Sequence, residues 1–330
     1  MKTTKIAILG FGTIGQGVAE VIRQNPEAVA RRCGAVEVAH ILNLRDFPDH
    51  PLGDRVTHDF NDIVNDPGVA VVVEAMGGSH PAFDYSLAAL RAGKSVVTSN
   101  KEVVANFGEI LLAEARKRGL RYLFEASVGG GIPIIRAMTT SLAGNDILSV
   151  DGILNGTTNY ILTEMKEKGV SMGEALAKAQ ELGYAERDPS ADIDGIDAAR
   201  KICILAALAF GTITSPDAVD RTGVRDLTRD DILRAEGEGR VVKLIAHAAK
   251  RDDGSLELSV RPTAIPADHP LASVNGVFNA VLINARSLGD VMFYGAGAGS
   301  LPTASAVMAD VADIIECGSG QPLQQQWTRI

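Results

Sequence analysis

Cysteine is scarce in this sequence of 330 residues, and no two cysteines form a CxxC pair. The three that occur are Cys33, Cys203 and Cys317. An odd number of widely spaced cysteines argues against a disulfide scaffold and against a metal–thiolate centre. Because this usage is typical of a reducing compartment, we expect a cytoplasmic protein.

Long hydrophobic runs and an excess of basic charge are also lacking. The longest apolar run, from Ile202 to Phe210, is far shorter than the roughly 20 residues that span a bilayer. The first residues lead directly into a predicted strand, so we expect no signal peptide. Lys and Arg number 32 against 41 Asp and Glu, a formal net charge of −9. We therefore expect no membrane partner and no nucleic-acid partner.

Histidines in a catalytic or metal-binding pattern are absent from the sequence. The six histidines show no ligand spacing, and none suggests a pairing with a serine or cysteine. They are His40, His50, His58, His80, His247 and His269. Metalloenzyme and hydrolase interpretations therefore have no support in the sequence.

Short apolar strands alternate with helical patterns over the first 125 residues. Strands are predicted at 5–9, 36–42, 69–74, 95–98 and 121–125, and helices at 14–32, 79–92 and 102–118. All-apolar strands that alternate with helices are typical of a doubly wound parallel sheet covered on both faces. The chain is long enough for a second domain, at roughly 100–200 residues per domain.

A mixed α+β region is predicted after Gly131. Helices are predicted at 133–142, in two stretches between 155 and 183, at 195–210 and at 304–316. Strands are predicted at 147–154, 256–260, 276–286 and 290–294. We expect a first domain at 1–130 that residues 300–317 complete, a second domain at 131–299, and a poorly ordered tail at 318–330.

Gly10, Gly12 and Gly15 form a GxGxxG pattern between the first strand and the first helix. In that context the glycines allow a tight turn, close approach of a pyrophosphate and close helix–strand packing. The N-terminus of the helix then faces the phosphates with its N–H groups and its positive dipole end. The pattern predicts a Rossmann-type dinucleotide-binding domain.

Arg45 and Asp46 follow the second predicted strand, where such domains contact the adenosine ribose. Arg45 would suit the 2′-phosphate of NADP, whereas Asp46 would suit the free ribose of NAD. The alternative is that both are ordinary loop charges. The sequence favours NADP and leaves NAD open.

Five carboxylates lie within the twelve residues from 186 to 197, between two predicted helices. They are Glu186, Asp188, Asp192, Asp194 and Asp197. Asp197 and Lys201 stand at i and i+4, so their side chains share a face of the next helix. One interpretation is a solvated loop with Asp194 as a helix cap and a surface ion pair. The other is a functional site, since the helix that follows is apolar enough to be buried.

Two further segments carry candidate ligand-binding groups. Residues 125–133 include three successive glycines, whose backbone could turn carbonyls towards a hard cation such as Na⁺ or serve as a domain hinge. Lys101 follows the carboxyl end of a predicted strand, where α/β sheets bind ligands. A solvated helix start is the alternative for this lysine.

Six ordered segments together resemble the homoserine dehydrogenase family over essentially the whole chain. They are GFGTIGQGV at 10–18, TSNKEVVA at 98–105, FEASVGGGIPII at 124–135, GILNGTTNYIL at 152–162, LGYAERDPSADIDGIDAARKICILA at 182–206 and GAGAGSLPTASAV at 295–307. The resemblance implies reversible, NAD(P)-dependent interconversion of L-homoserine and L-aspartate 4-semialdehyde, a step towards threonine and methionine. It also implies a homodimer formed through the sheet of the second domain.

The same resemblance implies roles for individual residues. The catalytic set would be Lys201, Asp197 and Lys101. The substrate would be bound by Glu186, Asp192, Tyr184, Gly156 and Thr157. The cofactor would be bound by Gly10, Gly12, Thr13, Ile14, Gly15, Arg45, Gly77, Ser99, Lys101 and Gly299. A monovalent cation, Na⁺, would be bound by Glu125, Val128, Gly130 and Ile132.

The resemblance does not extend to the regulatory domain of longer family members, and two alternative functions are kept beside it. Longer members of the family carry a regulatory ACT domain, and only a short tail follows the last predicted helix, so we expect no feedback control through such a domain. Another NAD(P)-dependent dehydrogenase of a small amino acid or aldehyde, and a non-catalytic dinucleotide-sensing homologue, remain alternative functions. The complete set of Glu186, Asp192, Asp197 and Lys201 argues against the sensor.

Overall fold

The computed structural model describes residues 3–251 and 253–317, and the backbone of residues 328–329. Contacts divide the chain into two compact units. The first unit runs from the N-terminal strand to Gly131 and resumes at Gly299, and the second comprises Ile132–Ala298 and the final short strand. Among the helices so described, none is both long and apolar enough to cross a bilayer.

The first unit is built on a six-stranded parallel sheet. Its strands are β1 (Thr4–Leu9), β2 (Val36–Leu42), β3 (Val56–Thr57), β4 (Val69–Glu74), β5 (Ser95–Thr98) and β6 (Tyr122–Leu123). Their order is β3-β2-β1-β4-β5-β6, with every neighbouring pair parallel. This order confirms the predicted Rossmann-type fold and places the loops after β1 and β4 at the switch point where such sheets bind ligands.

The described residues of this unit form six α-helices. They are α1 (Thr13–Gln24), α2 (Pro26–Cys33), α3 (Asn61–Val64), α4 (Ala82–Arg91), α5 (Lys101–Lys117) and the last helix, α12 (Ser300–Cys317). The single helix predicted at 14–32 is wrong, because Pro26 lacks an N–H and begins a second helix instead. The helix predicted from residue 79 begins only at Ala82, after Pro81.

The core of the first unit lies between the sheet and helices α1 and α12. Ile8 of β1 and Val73 of β4 are fully buried, together with Val18 of α1 and Val307 and Val311 of α12. The strands are apolar on both faces because helices cover both, as the sequence predicts. The C-terminal helix therefore completes the sheet unit that the N-terminal strands begin.

The second unit mixes helices with a largely antiparallel sheet. Its helices are α6 (Ile134–Arg136), which continues as a π-helical turn at Ala137–Ser141, α7 (Gly156–Lys168), α8 (Met172–Glu181), α9 (Ser190–Ile193), α10 (Ile196–Phe210) and α11 (Arg229–Gly237). Its strands are β7 (Ile147–Ile153), β8 (Thr212–Ile213), β9 (Asp220–Arg221), β10 (Arg240–Lys250), β11 (Leu256–Pro266), β12 (Phe278–Ala285), β13 (Gly289–Ala296) and β14 (Thr328–Arg329).

The main sheet of this unit has the order β13-β12-β7-β10-β11-β9. All pairs are antiparallel except β9 and β11, and a separate parallel pair joins β8 to β14. The predicted second α+β domain is thus confirmed, although β10 and α11 were not predicted as separate elements. Most of the predicted tail at 318–330 lies outside the described residues.

Candidate active site

A glycine turn joins β1 to α1, as the sequence predicts. Gly10 has a φ of +87°, and a Cβ at this position would lie 2.8 Å from the carbonyl oxygen of Ala75. A Cβ on Gly15 would overlap the carbonyl oxygen of Gly10, whereas a Cβ on Gly12 would meet nothing within 4 Å. The turn therefore needs Gly10 and Gly15 for its own packing, while the space beside Gly12 is open to a ligand.

Helix α1 begins beside the start of α12. Gly12 is the N-cap of α1 with no side-chain cap, and Thr13 and Ile14 form the first turn. Ser300 Oγ donates to the carbonyl oxygen of Thr13 at 2.8 Å, next to Gly299. This contact places Gly299 near the glycine turn.

The segment after β2 carries Arg45 and Asp46. Asn43 Oδ1 accepts from the Phe11 N–H at 3.1 Å, which ties this segment to the glycine turn. Asp46 Oδ1 lies 3.1 Å from His58 Nε2, so its carboxylate is already engaged. Arg45 is exposed at the same edge.

Buried polar groups connect the loops that follow β4 and β5. The Glu74 carboxylate accepts from the Met76 N–H at 2.8 Å and from Thr98 Oγ1 at 2.5 Å, and burial raises its pKa. Asn100 Nδ2 donates to the carbonyl oxygen of Gly78 at 2.8 Å, and its Oδ1 caps α5. Sequence reasoning missed Glu74 and Asn100, although a carboxylate that ends an apolar strand is a detectable signal.

The candidate cofactor residues in these two loops lie near this network. Gly77 is exposed after β4, Ser99 is half-buried after β5, and Lys101 is the first residue of α5. The backbone N–H of Ser99 donates to the carbonyl oxygen of Glu74 at 3.3 Å. All three thus lie at the carboxyl end of the parallel sheet, where the Rossmann fold binds its ligand.

The candidate cation loop follows β6. Glu125, Val128 and Gly130 are buried, and Ile132 is buried at the start of the second unit. Gly129 and Gly130 have φ values of +77° and +50°, which turn the backbone as only glycine readily allows. No group of three or more His, Cys, Asp or Glu that could hold a metal occurs in the described part of the chain. Backbone carbonyls would therefore have to supply most ligands of a cation here.

In the second unit, Lys201 is buried on α10 and has two close acceptors. Its Nζ lies 2.7 Å from Asp197 Oδ2 and donates to the carbonyl oxygen of Leu154 at 2.7 Å. The i, i+4 spacing thus produces a buried ion pair rather than a surface pair. An ammonium group with two anionic or carbonyl partners is fixed in position, as a proton-transfer group needs to be.

Asn155 joins two of the clustered carboxylates. Its Nδ2 donates to Asp192 Oδ1 at 2.7 Å and to Asp197 Oδ2 at 3.0 Å, while its Oδ1 caps α7 at the Thr158 N–H. Burial, together with the charge of Asp197, raises the pKa of Asp192. Sequence reasoning missed Asn155, although an asparagine directly before a helix signals a cap.

The other candidate substrate residues lie beside this cluster or on the surface. Thr157 Oγ1 donates to the carbonyl oxygen of Tyr184 at 2.6 Å, and the Tyr184 ring contacts Tyr160 edge-on. Gly156 is the first residue of α7, and Glu186 is exposed.

The five clustered carboxylates do not act as one group. Asp188 accepts from Ser190, and Asp194 pairs with Arg225 at 2.8 Å on the surface. The N-cap of α10 is Gly195, so the alternative of Asp194 as a cap is wrong. Asp192 and Asp197 are the members drawn inwards, towards Lys201 and Asn155.

Family models match both units of the chain. The model described as "Homoserine dehydrogenase" matches residues 133–312. The model described as "Homoserine dehydrogenase, NAD binding domain" matches residues 10–125. Together they extend over the glycine turn and over the Lys201 cluster.

Similar proteins of known family extend over nearly the whole chain. A homoserine dehydrogenase of Synechocystis is 48% identical over 95% of this chain and 73% of its own length. One from Pseudomonas aeruginosa is 44% identical over 98% of this chain and 74% of its own length.

Solved structures agree with these matches. A homoserine dehydrogenase from Thiobacillus denitrificans superposes with a TM-score of 0.94 and 39% identity, over 100% of this chain and 80% of the other. A hyperthermophilic archaeal homoserine dehydrogenase in complex with NADPH superposes with a TM-score of 0.81 and 30% identity, over 96% and 99%.

Proposed function

The chain belongs to the homoserine dehydrogenase family of NAD(P)-dependent oxidoreductases, and we propose that Lys201 carries the proton that accompanies its hydride transfer. The reaction interconverts L-homoserine and L-aspartate 4-semialdehyde. The contacts of Lys201 support this role, since its buried ammonium is held by Asp197 and by the carbonyl oxygen of Leu154, each at 2.7 Å.

Bound NAD(P) supplies the hydride acceptor or donor. During alcohol oxidation, Lys201 as a neutral amine takes the hydroxyl proton, and during aldehyde reduction its ammonium returns that proton. Asp197 and the Leu154 carbonyl accept hydrogen bonds from two of the three N–H groups of the ammonium, which leaves the third for the substrate oxygen. Asp197 thus orients Lys201, and Lys101 would complete the catalytic set from the start of α5.

Carboxylates suit the cationic end of the amino-acid substrate. We assign the substrate ammonium to Asp192 and Glu186, since a cation is best bound by charge-assisted hydrogen bonds. Asp192 is fixed by Asn155 at 2.7 Å, and Glu186 is exposed and free to approach a ligand. Tyr184, Gly156 and Thr157 would contact the remainder of the substrate.

The residues of the glycine turn fit a dinucleotide, because the space beside Gly12 is open and α1 begins there. We assign the cofactor to Gly10, Gly12, Thr13, Ile14, Gly15, Arg45, Gly77, Ser99, Lys101 and Gly299. NADP is favoured over NAD, because Arg45 is exposed while Asp46 already contacts His58. Arg45 would pair with the 2′-phosphate.

Three further assignments belong to the same proposal. Na⁺ would be bound by the loop that contains Glu125, Val128, Gly130 and Ile132, whose glycines turn the backbone sharply. A homodimer would form through the second sheet, whose edge strand β13 exposes Tyr294. A reducing, cytoplasmic location suits the free thiols of the described residues.

A spectrophotometric assay tests the proposed function. Purified protein with L-homoserine should reduce NADP⁺, and more slowly NAD⁺, as followed by the absorbance of the reduced nicotinamide. A different hydroxy amino acid as the better substrate would support the alternative of another dehydrogenase. Cofactor binding without turnover of any such substrate would support the dinucleotide sensor and contradict the proposed function.

A further inference from the structure

The side-chain amide of Asn279 is buried, and Asn279 is not among the residues proposed above to bind the substrate, the cofactor or a cation. The residue lies at the beginning of β12 and is 1% exposed. Neither Oδ1 nor Nδ2 has a hydrogen-bond partner among the described residues. A buried polar group without a partner is costly and rare in folded proteins, so its retention calls for an explanation.

Two glycines make room for this amide. A Cβ on Gly297 would overlap the side-chain atoms of Asn279, and a Cβ on Gly156 would lie 3.6 Å from Asn279 Oδ1 and 2.7 Å from the carbonyl oxygen of Val277. Neither glycine has a positive φ, so other residues could adopt the same backbone. Glycine is therefore required at both positions because a side chain would not fit there.

The amide of Asn279 lies near residues that are proposed to bind the substrate or to position Lys201. Ala280, the next residue of β12, pairs with Ile153 of β7, which leads directly to Leu154, the acceptor of the Lys201 N–H. Gly156 is the first residue of α7, a helix of 13 residues whose N-terminus favours an anion. The amide thus adjoins the end of α7 that would attract a carboxylate.

We propose that Asn279 is a substrate-binding residue whose amide NH₂ donates to the α-carboxylate of the amino-acid substrate, beside the N-terminus of α7. Asp192 and Glu186 hold the ammonium, and Asn279 holds the opposite charge of the same zwitterion. Gly297 covers the amide in the free protein and belongs to residues 295–298, which are only glycine and alanine. A substrate reaches the amide only if that segment moves, and the segment itself carries no side chain larger than a methyl group.

The variant Asn279→Leu tests this role, because leucine has nearly the same shape and lacks the donor. Removal of an unpaired buried amide should leave the thermal stability unchanged or higher. The KM for homoserine should rise about ten- to a hundredfold, which is the loss of affinity expected when a hydrogen bond to a charged group is removed. The turnover number and the KM for NADP⁺ should stay unchanged.

A substrate analogue separates binding from a structural effect. 3-Amino-1-propanol is homoserine without the α-carboxylate, and its inhibition constant should be the same for the wild type and Asn279→Leu. Asn279→Ala, which leaves a cavity, should show the same selective loss if the leucine variant folds poorly. Asn284→Leu is the matched control, since Asn284 lies on the same strand with its amide paired to Asp290 at 2.6 Å on the surface.

Two results would overturn the role of Asn279: an unchanged KM for homoserine, or an equal loss of affinity for homoserine and for the analogue. Since the role rests on the proposed function, wild-type turnover of homoserine is measured first. A wild type that does not oxidise homoserine refutes both, whereas an active wild type with an unaffected Asn279→Leu variant refutes only the role of Asn279.

Discussion

The Nζ of Lys201 lies 2.7 Å from Oδ2 of Asp197, one helical turn earlier in α10, and both side chains are buried. Removing one partner of a buried ion pair leaves the other charge uncompensated. The neutral amide of Asn155 donates a further hydrogen bond to the Asp197 carboxylate at 3.0 Å, which fixes the pair further. The arrangement holds one amine at a defined position and links it through Asn155 to Asp192.

Substitution of Asn155 separates the helix cap from the acid network. Asn155→Asp keeps a good N-cap for α7, so the fold should be retained. It replaces the shared donor by a third carboxylate beside Asp192 and Asp197, and kcat/KM for homoserine should fall at least about tenfold. Asn155→Ala should also lower the unfolding free energy by about 1 kcal/mol through loss of the cap. An unchanged kcat/KM in Asn155→Asp would show that the network is structural only.

Substitution by alanine should have different effects at two glycines of the glycine turn. Gly12→Ala places its methyl group in open space, so the protein should stay folded while NADP⁺ binding weakens. Gly15→Ala places a methyl group against the carbonyl oxygen of Gly10, so it should destabilise the first unit. Calorimetric titration and thermal denaturation of both variants measure the two effects. Unchanged NADP⁺ affinity in Gly12→Ala would place the pyrophosphate elsewhere.

Arg45 should decide the choice of cofactor. Arg45→Ala should weaken NADPH at least about tenfold, because a charge-assisted hydrogen bond to phosphate is lost, and leave NADH unchanged. The dissociation constants of both cofactors, measured by fluorescence, give the ratio. If NADPH and NADH weaken equally, Arg45 does not contact the 2′-phosphate.

Lys243 should make stability depend on pH. It is 1% exposed on β10, its Nζ donates to Asn275 Oδ1 at 2.9 Å, and burial lowers its pKa to about 8. Between that value and the ordinary pKa of about 10.4, the unfolded chain holds more protons than the folded one, so the Lys243 contribution to the unfolding free energy rises with pH. Below about pH 8 the buried charge costs stability.

Denaturant titrations on both sides of pH 8 check this effect. Lys243→Met should remove the rise, so the difference in unfolding free energy between wild type and variant should change with pH. Lys250→Met, at the exposed end of the same strand, should show no such change. If the difference in unfolding free energy between Lys243→Met and the wild type is constant from about pH 8 to about pH 10.4, the lowered pKa of Lys243 is contradicted.

The first sheet could be predicted because its main strands are short apolar runs that are recognisable in the sequence itself. The residues of β4 are apolar on both faces, and the glycine turn marks the boundary between β1 and α1. The break between α1 and α2 was missed because apolar residues such as Val21 and Val29 continue the helical period across Pro26. There the missing N–H of proline outweighed the periodicity.

Much of the candidate site could not be predicted from spacing. Asp197 and Lys201 are one turn apart, so their pairing follows from helix geometry. Asn155 lies 37 residues before Asp192, and their hydrogen bond depends on how the start of α7 packs against α9. The unpaired amide of Asn279 likewise becomes visible only when the neighbours of each buried atom are known.

The most direct test of the account is the turnover of Lys201→Ala with homoserine and NADP⁺. Loss of the proton-transfer group should lower kcat at least about a hundredfold, while the dissociation constant of NADP⁺ should not change. Lys178→Ala, which removes an exposed lysine paired with Glu181 on α8, is the control and should keep full activity. Near-normal turnover in Lys201→Ala would contradict the assignment of proton transfer to this residue.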